Sequence, residues 1–394
     1  MTGPVLALNA GSSSLKFALF DGGRALLRGQ VSGIGTRLKA EAAANGVAVE
    51  PPVLHGSTHE DVLPDLLGWL GCRGPGGVAA VGHRVVHGGT RFTAPVRVDD
   101  GVLDALDGLV PLAPLHQPHS LAAIRGTMAA LPGVPQVACF DTAFHATMPA
   151  VATWLGLPRA LHDEGVRRYG FHGLSYEFIA GRLRELAPAL AAGRVVVAHL
   201  GNGASLCALH GGRSVGTTMG LTALDGLLMA TRPGSLDPGA VLHLLQARGM
   251  PAADVEDLLY HKSGLLGVSG VSGDMRDLAG SADPRAREAV ELFAHRAVGC
   301  AGALAAQMGG VDGIVFTAGI GEHDAAVRAG VCAGLGWLGL VLDGAANQAG
   351  GTGRISAEGS RVEAWVVPTD EEAVIAGHVA SVLSATAPLR AGQP

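Results

Sequence analysis

The chain has 394 residues, 48% hydrophobic and 16% charged, with a formal net charge of −6. At roughly 150 residues per domain this suits two or three domains with a sizeable core, and the composition excludes a disordered chain. The negative balance argues against a nucleic-acid binder or a polybasic membrane protein.

No basic segment precedes the first apolar run, so no signal peptide is expected. Residues 297–321 carry Asp312 and many glycines, which makes them a poor membrane span. The five cysteines, Cys72, Cys139, Cys207, Cys300 and Cys332, are odd in number and form no C-x-x-C pair. They read as reduced thiols of a cytoplasmic protein.

Residues 5–9, 15–20 and 25–31 read as three antiparallel strands, with Asp21-Gly22-Gly23 as a hairpin turn. A turn of small residues, "AGSSS", joins the first two. It can offer backbone N–H groups and hydroxyls to a phosphate, with Lys16 as a point charge just beyond. Asn9 ends the first strand, where its amide oxygen could hold a metal-bound water. Residues from about 35 to 60 look short and irregular. "GVAAVGHRVV" is a strand, "SLAAIRGTMAAL" a helix, "PQVACFD" a strand and "LSYEFIAGRLREL" a helix, so the class is α/β.

Residues 194–218 then repeat the opening scheme: strand, small turn, strand, tight turn. The tight turns read "DGGR" and "HGGR", and Ser-Leu opens the second strand in both copies. Two copies imply two similar domains. We place them at 1–148 and 149–370, with a C-terminal helix from about 371 to 394 free to return to the first. Residues 313–331 read as a strand, a glycine turn and a helix. The chain keeps only three lysines (Lys16, Lys39, Lys262) and four asparagines (Asn9, Asn45, Asn202, Asn347), so each survivor is a candidate for a role that other residues fill poorly.

The blocks "LNAGSSSLKF", "GHRVVHGG", "PLAPLHQP", "FDTAFHATMP", "RRYGFHGLSYE", "AHLGNGASL", "TRPGSLDPG", "FTAGIGEH" and "PTDEEAVIA" stand in the order of the acetate kinase family and resemble its signatures from residue 5 to about 378. The resemblance implies two duplicated ribonuclease-H-like (actin-like ATPase) domains around a nucleotide cleft, a homodimer, and phosphoryl transfer between ATP and acetate with Mg2+, or Mn2+ in its place. A carboxylate acceptor is already ionised and needs no general base. It needs positive charge around the transferring phosphoryl group instead.

The same resemblance assigns residues. Arg84 binds the acetate carboxylate; Arg232 and His172 hold the phosphoryl group. Asp141 is catalytic in the family, and because no base is required we expect it to orient Arg84, His172 or the metal waters. His116 is a further candidate. Val86, Leu115, Phe171 and Ala223 form the pocket for the acyl methyl. Ser12 and Lys16 face the phosphates, as do His199, Leu200, Gly201, Asn202 and Gly203. Asp274, Met275 and Arg276, with Gly319, Ile320, Gly321, Glu322 and His323, belong to the adenosine site.

Asn9 and Glu371 form the metal shell. Glu372, three residues after Thr369, has capping-box spacing and reads as structural. Asp237 before Pro238 reads as a helix N-cap. The chain departs from the family at Ala223, where proline is usual, and at His323, where asparagine is frequent. Two rivals remain: a propionate or other short-acid kinase of the same fold, and a nucleotide-driven clamp with a protein partner.

Overall fold

The computed structural model describes residues 3–11, 13–71, 77–114 and 116–385. The chain divides into two units, Met1–Phe144 with Asp370–Pro394, and His145–Thr369.

The first unit is built on an eight-stranded sheet. Its strands are β1 (Val5–Ala10), β2 (Ser14–Asp21), β3 (Arg24–Ser32), β4 (Lys39–Ala44), β5 (Val47–Ala48), β6 (Ala80–Val85), β7 (Val96–Arg97) and β8 (Gln136–Phe140), in the order β5-β4-β3-β2-β1-β6-β8-β7. β1, β2 and β3 form an antiparallel meander, while β1, β6 and β8 run parallel. Helix His59–Gly71 supplies Val62, Leu63 and Leu66 to a core with Leu6, Leu8 and Phe17. Helix Gln117–Ala130 adds Leu121 and Ile124 to a second cluster around Phe140. Helix Glu371–Ala385 packs on β1, β6 and β8.

The irregular stretch expected at 35–60 is partly sheet. β4 and β5 pair across Asn45-Gly46, whose φ values of 48° and 81° suit a primed hairpin turn. The strand "KAEAAA" has no β-branched or aromatic residue, so its propensity hides it.

The second unit repeats the plan. β9 (Arg194–Leu200), β10 (Ala204–His210), β11 (Arg213–Thr217), β12 (Gly313–Thr317), β13 (Gly353–Arg354) and β14 (Glu363–Val366) stand in the order β11-β10-β9-β12-β14-β13. Again a three-strand meander is followed by two strands parallel to its first. Both tight turns place two glycines at positive φ, Gly22 and Gly23 at 53° and 82°, Gly211 and Gly212 at 58° and 76°. Helices Gly173–Leu186 and Pro284–Gln307 pack on β9.

The glycine turn expected after β12 is itself helical. Ala318, at φ 64°, turns the chain directly into helix Ala318–His323, and Asp324 caps the next helix, Ala325–Gly334. Among the described residues only Pro284–Gln307 has the length and apolarity of a membrane span. It packs on the second unit's sheet. Cys139, Cys207, Cys300 and Cys332 are not disulfide-bonded. Cys72 lies outside the described residues.

Candidate active site

In the first unit, the carboxyl ends of three adjacent parallel strands carry Asn9, Arg84 and Asp141. Such ends are where α/β folds commonly place ligand sites. Asp141 is 0% exposed, and Arg84 grips it from Nε at 3.0 and 3.1 Å and from Nη2 at 2.6 Å. Nη1 of Arg84 donates to Asn9 Oδ1 at 3.1 Å. Burial pulls the guanidinium toward neutrality, but the charges of Asp141 and Glu371 outweigh it and hold its pKa above the ordinary arginine value. Among the described residues these partners engage three of its five N–H groups, which leaves one on each terminal nitrogen. That is the geometry of a fork for a carboxylate. Of the partners considered for Asp141, the structure pairs it with Arg84.

Asn9 Oδ1, expected to hold a metal-bound water, accepts from Arg84 with one of its two lone pairs. Its amide nitrogen donates to Glu371 at 2.7 Å and to Glu372 at 3.2 Å. The capping box assigned to Glu372 does not form. Asp370 caps the helix by accepting from Ala373 N at 3.0 Å, and Thr369 N donates to Glu322 at 3.2 Å. Glu372 turns inward. Burial, then the charge of Glu371, raises its pKa, against the pull of Lys16 and the Asn9 bond. Two close carboxylates with a buried member are a hard-oxygen donor set, which suits a divalent cation that also keeps waters and phosphate oxygens. Capping-box spacing therefore does not describe what Glu372 bonds to.

Lys16, on β2, lies with Arg28, Gln30, Glu41 and Glu372 along an open groove of about 580 Å³. Arg28 makes a two-pronged ion pair with Asp370, at 2.9 and 2.5 Å. Val86 is buried just after β6. Ser12 and Leu115 lie outside the described residues. His116 stands at the N-cap of helix Gln117–Ala130 without capping it.

In the second unit, His172 sits at φ 59° at the start of helix Gly173–Leu186. Its Nδ1 is 2.8 Å from Ser205 Oγ, and its ring stacks on His199 at 4.1 Å and 14°. His199 Nδ1 is 2.8 Å from Ser175 Oγ. His145, not singled out in the sequence, is buried and bonds the Phe171 carbonyl at 2.9 Å, which pins the turn just before His172.

Leu200 is buried at the end of β9. The turn Gly201-Asn202-Gly203 follows, closed by Gly201 N to Gly203 O at 3.1 Å, and Asn202 O accepts from Ala230 N at 3.0 Å. A Cβ at Gly203 would lie 2.9 Å from Arg232 Nη2 and 3.3 Å from His172 Nε2. A side chain there would press on both groups, so glycine leaves them room beside the turn. Arg232 is aimed by Nη1 donating to the Ala223 carbonyl at 2.7 Å. The structure therefore brings together His172, His199, Gly203, Arg232 and Ala223.

The expected adenosine residues have mixed roles. Asp274 caps helix Met275–Ala279 and pairs with Arg276, while Met275 is buried. Gly319 and His323 are exposed, and Ile320 and Gly321 lie between them in the short helix. Glu322 is occupied: it accepts from Ala318 N at 2.8 Å as well as from Thr369 N. Arg328, unnoticed in the sequence, is 1% exposed and donates to the carbonyls of Gly321 and Glu322 and to Asn347. Asp237 caps its helix through Gly239 N, as its position before Pro238 suggests.

Residues 4–377 match the model of the acetokinase family. The acetate kinase of Rhodopseudomonas palustris (strain ATCC BAA-98 / CGA009) is 51% identical over 390 residues, covering 96% of this chain and 98% of that protein. The crystal structure of Porphyromonas gingivalis acetate kinase superposes with a TM-score of 0.87 at 38% identity, over 97% of this chain and 100% of the other. A propionate kinase from Francisella tularensis gives 0.89 at 35% identity, over 96% and 99%.

Proposed function

This chain belongs to the acetokinase family, and on that footing we propose the reaction its residues carry out: transfer of the γ-phosphoryl group of ATP to acetate, giving acetyl phosphate and ADP, and the reverse. It is a kinase with the duplicated actin-like ATPase fold, not a nucleotide-driven clamp. The single observation that carries the residue assignment is the Arg84 fork, held on Asp141 and with two N–H groups unengaged among the described residues.

Acetate arrives ionised, so no residue need remove a proton from it. Arg84 holds the carboxylate and cancels part of its repulsion from the phosphate tail. Asp141 and Asn9 keep that guanidinium in place. His172 and Arg232 supply donors to the phosphoryl oxygens as it transfers in line. Lys16 and the turn from His199 to Gly203 hold the phosphate chain. Helix Ala318–His323 and the segment Asp274–Arg276 take the adenosine. Glu371 and Glu372, steadied by Asn9, hold Mg2+, with Mn2+ as substitute. When bound, the cation neutralises charge on the phosphate oxygens.

Acetate is preferred over propionate. The relatives at about 50% identity are acetate kinases, whereas the propionate kinase stands at 35%. The enzyme is cytoplasmic and works as a homodimer. Exposed apolar side chains of the second unit, among them Leu236, Leu242, Trp337 and Val341, support a surface that a second copy covers. Trapping acyl phosphate with hydroxylamine tests the reaction. With ATP and Mg2+, acetate should give the most hydroxamate of formate, acetate, propionate and butyrate. No hydroxamate from any of the four acids would refute the proposal.

A further inference from the structure

Three histidines of the second unit share one arrangement. His145, His172 and His199 each have a serine hydroxyl 2.8 Å from Nδ1, from Ser214, Ser205 and Ser175 respectively. For His145 chemistry places the hydrogen. Its Nε2 is 2.9 Å from the Phe171 carbonyl oxygen, which only accepts. Nε2 therefore carries a hydrogen, and a ring protonated only there accepts at Nδ1 from Ser214. The Ser214 oxygen takes the Cys207 S–H at 3.4 Å. Burial pushes that thiol up to about 12, so it keeps its hydrogen.

The surroundings of His172 repeat this chain with a stronger donor at its head. The Tyr176 hydroxyl is 2.5 Å from Ser205 Oγ, and both residues are fully buried. We propose that Ser205 is a positioning residue that selects the tautomer of His172. Tyr176 donates to the Ser205 oxygen, Ser205 donates to Nδ1, and the ring is held with its hydrogen on Nε2. The inference rests on the reading of His172 as a donor to the phosphoryl group. Nε2 lies beside Gly203 and Arg232, where an incoming phosphoryl oxygen needs a hydrogen to accept. The other neutral tautomer would offer it a lone pair.

The groups that face the ring make a tautomer lock necessary. Arg232 approaches from its loop, and His199 stacks on the ring from β9. Tyr176 lies on the same helix as His172, and Ser205 on β10. Arg232 is a permanent cation, and His199 becomes one when protonated. Both oppose a positive charge on His172. A neutral imidazole donates from one nitrogen only, so the hydroxyl on Nδ1 decides which one.

The test uses the full-length protein with 15N-labelled histidine. The His172 ring signals are identified by their loss in His172→Gln. At pH 8 they should show a protonated Nε2 and a bare Nδ1. Ser205→Ala should lower kcat about tenfold to a hundredfold, within the range for weakening one donor to the transition state. Acetate and ATP KM should stay within about threefold. Part of the loss should return at low pH, once protonation makes both ring nitrogens donors. Ser205→Thr should restore most turnover, and Tyr176→Phe should cost only a few-fold.

A bare Nε2 in the native spectrum would overturn the proposal, and that spectrum decides the matter even where Ser205→Ala does not fold. So would a Ser205→Ala enzyme with native kcat and pH profile beside an inactive His172→Gln. Full turnover in His172→Gln would instead remove the reading of His172 itself, and the relay with it.

Discussion

Arg84 and His172 are held in opposite ways. Around Arg84 the partners are ions: Asp141 is fully buried, Arg84 is 15% exposed, and Glu371 lies within electrostatic reach. Around His172 the partners are neutral hydroxyls and a stacked ring. The first arrangement keeps a charge in place where an anion is to be met. The second decides where one hydrogen sits. Loss of a partner should therefore cost stability in the first unit and direction in the second.

The largest effect should come from Asp141→Ala. Removing one member of a buried pair leaves the other charge unpaired, which typically costs about 3–5 kcal/mol. Urea unfolding followed in the first unit should show that loss, and Ser205→Ala should show much less in the second. Equal losses would erase the distinction.

A pH dependence sharpens it next. His83, behind Arg84 on β6, is fully buried on Gln136 at 2.6 Å, and burial holds its pKa down at about 4. A base depressed in the folded state contributes stability above its unfolded value near 6.5 that is lost as pH falls toward 4. The first unit should lose on the order of 2–3 kcal/mol over that window, and His83→Gln should lose less. Parallel acid titrations of the two proteins, monitored by unfolding, would expose a wrong assignment as identical curves.

A smaller effect is expected at Ala223, whose carbonyl aims Arg232. Ala223→Pro keeps that carbonyl and adds two ring carbons. If the side chain borders the acyl group, discrimination of acetate from propionate should sharpen by up to about tenfold in kcat/KM. An unchanged ratio would confine Ala223 to its bond with Arg232.

The smallest predicted effect separates two neighbours. Asp370→Ala should cost about 1–2 kcal/mol through the lost cap and the lost pair with Arg28. Glu372→Gln should leave thermal stability nearly intact while raising the Mg2+ concentration for half-maximal rate. Reversed behaviour of the two variants would return Glu372 to a structural role.

Most of the fold was legible because its punctuation is physical. Gly-Gly pairs at positive φ announced both hairpins, and the repeated turn disclosed the duplication. β4 was not legible, since alanine-rich strands carry no propensity signal, although Asn45-Gly46 marked its turn. The scarcity argument proved partial. Asn9 and Asn202 lie in the candidate site, but Asn45 serves a turn and Asn347 holds the buried Arg328. Lys262 merely pairs with Asp257 at the surface. The inward turn of Glu372 could not be read from spacing, because Asn9, which donates to both Glu371 and Glu372, is 363 residues away from Glu372. Ser205 was visible only as a marker of the repeat. Its bond to His172 depends on tertiary contact that no local pattern encodes.

One measurement bears most directly on the division of labour: steady-state acetate titration of Arg84→Ala and His172→Ala side by side with the native enzyme. Arg84→Ala should raise acetate KM strongly as well as lowering turnover. His172→Ala should lower kcat by about a hundredfold, the scale of one lost donor to the transition state, with acetate KM within about threefold. The same change in KM and kcat for both variants, or native kinetics in either, would contradict the account.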